Sequence, residues 1–305
     1  MTKFPPEGYL IKRAENLEYI SSYEGLSRAM DREIILEAKA EMCTASHDLI
    51  INLPCMNALM PREECATGIS EGKTKDIAII SRVGRPIMFM VRGFTQSQDK
   101  ISALLSRRKA QEKCISEYLS NLSSGEVIDA KVTHIEQFGC FVDIGCGIPS
   151  MIPIDEISVS RISSPADRFT IGESIKVIYK GTDGDKFYIS HKELLGTWEE
   201  NAEMFSAGET VRGIVRSVES YGIFVELAPN LAGLAEPKEG VEVGQTASVY
   251  IKSINPEKMK IKLIVVDVSD TPLRFENRYF VTDGTIERWQ YSPDSSHRLI
   301  ETVFR

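Results

Sequence analysis

The chain has 305 residues, of which 42% are hydrophobic, and a formal net charge of −8. That length suits about two or three domains and supplies enough apolar material for small cores. The acidic balance excludes indiscriminate electrostatic attraction to nucleic acid while leaving room for local basic tracks, and no stretch approaches the ~20 apolar residues of a membrane span.

Residues 1–27 open with Pro5-Pro6 and carry a predicted helix over Ala14 to Tyr23. No basic leader runs into a long apolar stretch, so they do not form a signal peptide and the chain reads as cytoplasmic, with no membrane partner. Residues 28–110 contain the alternating run His47-Asp48-Leu49-Ile50-Ile51-Asn52-Leu53. Ala110, Cys114, Ile115 and Leu119 stand at near-helical spacing, which predicts a helix over Arg107 to Leu119 and makes 111–122 a semi-rigid spacer.

The next two segments, 123–195 and 206–268, repeat each other. Gly125-Glu126 through Phe138-Gly139-Cys140-Phe141-Val142-Asp143-Ile144 returns as Gly208-Glu209 through Tyr221-Gly222-Ile223-Phe224-Val225-Glu226-Leu227, at a constant offset of 83 residues. A repeat of that length, with alternating apolar residues and an aromatic-Gly-x-Phe core, specifies a small all-β module used more than once. Trp198, Ala202 and Phe205 predict a second helical spacer over 196–205. Residues 28–110 form a degenerate third copy: Leu59-Met60-Pro61 matches Met151-Ile152-Pro153, Gly84 matches Gly172, and Leu105-Ser106-Arg107-Arg108 matches Ile189-Ser190-His191-Lys192. Its His47 to Leu53 strand lacks the aromatic pair, which suits a structural or partner-facing module. From Gly172 to Gly244 the offset falls to 72, so the last copy lacks 11 residues between its third and fourth strands.

In residues 269–305, Arg278-Tyr279-Phe280-Val281 and Thr285-Ile286-Glu287-Arg288-Trp289 flank Asp283-Gly284, a two-residue hairpin signal. This tail reads as a β-extension covering an edge of the last module, or as a recognition surface bearing Trp289 and Tyr291.

Strand parity singles out the candidate site. Phe224 and Glu226 share one face, and the aliphatic Val225 and Leu227 take the other, which is the core. Phe224 therefore points outward, where a large ring is better explained by a partner than by folding. Gly222 predicts a bulge or bend that brings Tyr221 to the same side, and Gly139 does so for Phe138 and Phe141. Two adjacent exposed rings form a platform for bases, each worth about 1–3 kcal/mol. The lysines gather in two groups, Lys176, Lys180, Lys186 and Lys192, then Lys252, Lys258, Lys260 and Lys262. Beside the rings they become phosphate contacts.

The six cysteines lack a Cys-x-x-Cys pair and the four histidines are scattered, so no zinc site is expected. With no nucleotide-binding loop or nucleophile elbow either, the chain is expected to be neither an enzyme nor a cofactor carrier.

Residues 125–193 resemble the S1 domain, through the strand Val127 to Val132, Phe138-Gly139-Cys140-Phe141-Val142-Asp143, Met151-Ile152-Pro153, Ile171-Gly172-Glu173-Ser174-Ile175-Lys176-Val177 and Ile189-Ser190-His191-Lys192. Residues 208–267 resemble it through Tyr221 to Val225, Gly233-Leu234 and Val243-Gly244-Gln245. The resemblance implies three tandem five-stranded OB-fold barrels; with the short helical spacers and the β-hairpin tail read above, a mainly β chain is expected. The resemblance also implies single-stranded RNA as partner, held by Phe138, Phe141 and Lys192 in the middle barrel and by Tyr221 and Phe224 in the last, with Lys176, Lys252, Lys260 and Lys262 from the two lysine groups as the expected phosphate contacts beside them. The family's histidine position reads Pro153 and Glu236 here, and Asp143 and Glu226 are expected beside the rings. The alternative is a protein-interaction module docking on the ribosome or an RNA-processing partner.

Overall fold

The computed structural model describes residues 4–97 and 100–304. Its first barrel is built from β1 (Leu36–Cys43), β2 (Leu49–Asn52), β3 (Asn57–Met60), β4 (Pro86–Ser97) and β5 (Lys100–Ser106). The second takes β6 (Val127–Glu136), β7 (Gly139–Asp143), β8 (Pro149–Pro153), β9 (Ser174–Asp183) and β10 (Lys186–Ser190). The third takes β11 (Thr210–Glu219), β12 (Gly222–Ala228), β13 (Leu231–Ala235), β14 (Thr246–Asn255) and β15 (Lys260–Ser269). All three close in the same order, with the third strand beside the fifth and the fourth sealing the wall against the first. Closure pairs the strands around each barrel, leaving backbone free only at strand ends, and alternation sends every second side chain into the core. Val225, Val249 and Ile251 line the inside of the third barrel in this way.

The helices follow their caps. The helix predicted over Ala14 to Tyr23 divides into α1 (Ala14–Ile20) and α2 (Tyr23–Asp31), because the Ser22 hydroxyl accepts the Gly25 N–H and starts a new helix. The barrel-1 connection holds one turn, α3 (Ile77–Ile80). Ser106 caps α4 (Arg107–Glu117), and a reciprocal Thr197/Glu200 capping box starts α5 (Trp198–Ala202).

The chain folds as two compact units. One takes the residues up to Leu122 with Asp129–Lys131 and Asp143–Pro149, and the other takes Ser123–Ile128, Val132–Val142 and everything from Ser150 on. Within the first unit, Glu7 is buried against Arg107, whose Nε and Nη2 donate to its carboxylate at 2.6 and 3.1 Å. Burial alone would raise the Glu7 pKa, but the Arg107 guanidinium holds it below the usual carboxylate range.

Within the second unit, residues 154–173 join β8 to β9, against the much shorter 236–245 between β13 and β14. The longer connection reaches the third barrel. Its Arg168 pairs with Glu226, and Val159 N–H donates to Asn230 Oδ1 at 2.9 Å. The 11 residues missing from the third copy are thus matched by a connection in the second copy that has a neighbour to hold.

The tail departs from the hairpin expected at Asp283-Gly284. Its ladder joins β16 (Arg288–Gln290) to β17 (Glu301–Val303), antiparallel. The Asp283-Gly284 turn instead feeds the chain along the start of the second barrel, where Gly284 O accepts from Val127 N and Ile286 N donates to Gly125 O, both at 2.9 Å. An available backbone edge outcompeted a local hairpin, which by itself is marginally stable. The tail also serves both barrels of its unit. Trp289 and Tyr291 are buried in the third barrel's apolar cluster, and Phe304 packs with Ile178 and Leu194 of the second. Burial removes Trp289 and Tyr291 from any recognition surface.

Tyr279 ties this strap to His191, its hydroxyl 3.2 Å from Nε2, while the other ring nitrogen lies 2.9 Å from Ile157 O. Burial pushes the His191 pKa down to about 4. Its unfolded value is near 6.5, so the unfolded chain binds the extra proton between those limits. This contribution to stability is full above about pH 6.5 and is lost as pH falls toward 4. We expect the His191 ring resonances to titrate near pH 4 in an NMR titration of the folded chain; a midpoint near 6.5 would show that the ring is not sealed by the strap.

Candidate nucleic-acid interface

The rings occupy a turn and a strand. The β6–β7 hairpin turns through Gln137–Phe138, and β11–β12, with Glu219 paired to Gly222, turns through Ser220–Tyr221. Phe138 and Tyr221 therefore lie outside the ladder, and parity does not constrain them. This corrects the expectation of a bulge at the glycine, since the register shifts in β12 fall elsewhere, opposite Val215/Ser217 and at Glu226/Ala228. Gly139 and Gly222 serve close approach instead. A Cβ at Gly222 would stand 2.6 Å from Ala235 O and 2.8 Å from Leu234 Cδ1, and one at Gly139 would stand 2.7 Å from Ile152 O.

The resulting pairs are near copies. Phe138 and Phe141 have ring centroids 6.1 Å apart at 88°, and Tyr221 and Phe224 have theirs 6.2 Å apart at 87°. Phe138 is 58% exposed and Tyr221 66%, while Phe141 and Phe224 are half-buried beneath them. An edge-to-face pair with one ring open to solvent offers a flat apolar surface without disturbing the core.

Ladder register extends each pair into a row. In the third barrel Phe224 is paired with Leu234, and Leu234 with Lys262 on β15. Lys262 is paired with Ser253 and Lys260 with Asn255, so Lys252, Lys260 and Lys262 gather at the exposed β14–β15 end. Adjacent strands lie about 4.8 Å apart, placing the Lys262 backbone roughly 10 Å from that of Phe224. In the second barrel the position of Lys262 is taken by Tyr188, paired with Met151 and 49% exposed. His134 closes the other side, its ring 6.1 Å from Phe141 and its Nε2 2.6 Å from Glu136. Sequence reasoning missed Tyr188, Met151 and His134. Parity could have found Tyr188, because its neighbour Ile189 is a core residue.

The other lysines are arranged differently. Lys192 Nζ lies 3.1 Å from Glu156, which Lys180 also meets at 2.9 Å. The same device recurs in the first barrel, where Glu64 holds Arg92 and Arg108. Lys180 and Lys192 on the one Glu156 carboxylate leave a local positive excess, whereas Arg108 also pairs with Glu112 at 2.7 Å. Lys176 stands on β9 where the tail crosses, its N–H donating to the Tyr279 hydroxyl at 3.3 Å, apart from the Phe141–Met151–Tyr188 row. Lys252 is 4.0 Å from Glu236, both well exposed.

The acidic residues expected beside the rings are not on the open face. Asp143 is buried and accepts N–H bonds from Glu7, Gly145 and Gly147 at 2.7, 2.8 and 3.0 Å. Burial, together with the charge of Glu7, pushes its pKa up to about 7. Glu226 is wholly buried between two arginines. Neither carboxylate meets a strand passing over the rings.

The first barrel repeats the row without aromatic side chains. Met42, Ile50, Leu59 and Leu104 are paired in sequence across four strands. His47, at the turn, lies 3.2 Å from Asp76, which also pairs with Arg62. Among the described residues no group of three or more His, Cys, Asp or Glu side chains could hold a metal, and no helix is long and apolar enough to cross a membrane.

Residues 122–192 match the family described as S1 RNA binding domain. The small ribosomal subunit protein bS1 of Staphylococcus aureus (strain COL) is 28% identical over 275 residues, covering 84% of this chain and 67% of that protein. The bS1 homolog of Bacillus subtilis (strain 168) is 32% identical over 200 residues, covering 60% of this chain and 52% of that protein. Among solved structures, a multidomain protein with nucleic acid binding domains from Streptococcus pneumoniae TIGR4 is similar at a TM-score of 0.25 and 13% identity, covering 77% of this chain and 73% of that one.

The close approach at Gly222 sets a test of the ring geometry. Gly222→Ala forces β13 away from β12 and should cost about 1–3 kcal/mol in denaturant unfolding, whereas Ser220→Ala in the adjoining turn should cost less than about 0.5 kcal/mol. Equal effects would remove the packing account of the glycine.

Proposed function

We propose that this chain is an S1-type protein that binds single-stranded RNA, acting in translation or RNA metabolism in the cytoplasm. The observation that carries the reading is the duplicated edge-to-face pair, Phe138/Phe141 and Tyr221/Phe224, placed alike in two barrels with one ring of each pair open to solvent. A ring in a hairpin turn that contributes little to the core is explained by what stacks on it. The similarity to small ribosomal subunit protein bS1 supports the same reading, with the ribosome as a candidate partner. No catalytic role is assigned.

The two platforms divide the work. The second barrel adds Tyr188 and Met151 to its rings and binds mainly by stacking. The third puts Lys262, with Lys252 and Lys260, in the corresponding place and adds phosphate contacts. Phe138→Ala with Phe141→Ala should weaken binding of a short labelled single-stranded RNA by about 2 kcal/mol or more, with circular dichroism unchanged. Unaltered affinity in a folded double variant would sink the stacking account.

Salt separates the two barrels. Replacing Lys252, Lys260 and Lys262 with Gln should reduce the slope of log affinity against log salt by about 1–2, since each phosphate contact on a single strand contributes roughly 0.7. The same measurement on Tyr188→Ala should show weaker binding at an unchanged slope.

The first barrel supports a second reading for its own face. A row of Met42, Ile50, Leu59 and Leu104 offers nothing for a base to stack on but suits an apolar protein surface. Docking on the ribosome or an RNA-processing protein is the role that fits it.

A further inference from the structure

We infer that the second and third barrels present their two platforms as a fixed pair to one continuous single strand, with Arg168 and Glu226 as the positioning residues that hold the pair. This rests on the RNA-binding reading above. Glu226 stands on β12 two residues after Phe224 and is 0% exposed. Arg216 of the same barrel donates to it from Nε at 2.7 Å, and Arg168, from the β8–β9 connection of the second barrel, pairs with the same carboxylate and donates to Pro229 O at 3.1 Å. Asp167 completes the set, 3.1 Å from Arg216 Nη1. Two carboxylates thus face two guanidiniums, and the pairing is shared across both barrels. Sliding or rotating one barrel on the other would leave Glu226 and Arg168 with charges out of water and wrongly matched, so the arrangement selects one relative placement.

A second tie shares no residue with the first. The Asn230 side chain in the third barrel donates to Lys192 O at 2.8 Å, and the Asn230 backbone carbonyl accepts the Tyr291 hydroxyl at 2.5 Å. The tail carrying Tyr291 is itself held to the second barrel through Gly125 and Val127. Two platforms on a rigid mount differ from two on a flexible linker. A strand that reaches both gains affinity at one length, set by the mount, instead of gradually.

The test uses the full chain and labelled oligouridylates of about 4 to 16 nucleotides, the range of site sizes seen for such barrels, followed by fluorescence anisotropy. The wild type should show a rise of about tenfold or more within one or two added nucleotides. Arg168→Ala leaves Glu226 paired with Arg216, so it removes the first tie without orphaning the carboxylate, and Asn230→Ala in the same chain removes the side-chain bonds of the second. The double variant should bind the shortest strands as the wild type does while its rise is spread over several lengths and reduced about tenfold. NMR relaxation of the unbound wild type gives a measurement independent of the variant, with one rotational correlation time expected for both barrels. Separate correlation times, or an unchanged length profile in the folded double variant, overturns the inference. Failure of every oligonucleotide to bind the wild type removes the RNA-binding reading instead, a distinguishable result because the shared correlation time would persist.

Discussion

A carboxylate taken out of water must find its partners inside the protein, and in this chain that requirement recurs at one position of the repeat. Asp143 and Glu226 are equivalent residues, each two places after the second ring of its pair and each on an outward face. Neither is left to solvent. Asp143 is closed over by backbone N–H groups, one of them from Glu7. Glu226 is closed over by two arginines, one of them carried by a long connection from the preceding barrel. Desolvating a carboxylate costs several kcal/mol, so such residues contribute little net stability even when well paired. What they fix is which segment lies where. The long β8–β9 connection and the buried Arg168 become intelligible once Glu226 is seen as the group they neutralise.

Closure of the barrel sets the complementary rule for the rings. With the alternate side chains of every strand committed to the interior, the outward set is free of packing duty, and the hairpin turn is freer still. The glycine after each turn lets the next strand approach closely beside the ring pair. The same backbone therefore carries three different rows. These are aliphatic in the first barrel, aromatic in the second, and aromatic with a lysine in the third.

Much of this was legible in the sequence, for identifiable reasons. Aliphatic residues at Val225 and Leu227 announce the core, so the outward placement of Phe224, and of Phe141 by the repeat, could be read from alternation, whereas Phe138 and Tyr221 sit in turns and were legible only through the repeated aromatic-Gly-x-Phe spacing. Tyr188 was accessible by alternation but was obscured by the lysines around it. The fate of Glu226 was not accessible. Parity places it outward, and only the docking of a distant loop turns outward into buried. The ion pair of Lys192 with Glu156 was hidden for a related reason, since it depends on a short helical turn whose position follows from the closed barrel. The Asp283-Gly284 signal was locally correct as a turn. The partner strand it found lay at Gly125 to Val127, far beyond the reach of a hairpin rule.

That pairing carries a consequence for how the protein is made. The start of the second barrel's first strand takes up backbone hydrogen bonds from Gly284 and Ile286, residues that leave the ribosome only after the entire third barrel has been synthesised. At about 5–20 residues per second, the delay between Gly125 and Ile286 amounts to roughly 8–32 s. Over that interval the nascent second barrel presents an uncovered backbone edge and the uncovered apolar side chains of Ile178 and Leu194, which later receive Phe304. The order of synthesis thus opens a window for premature strand pairing between neighbouring nascent chains. Its length is fixed by the distance along the chain between a barrel and its own last piece of wall.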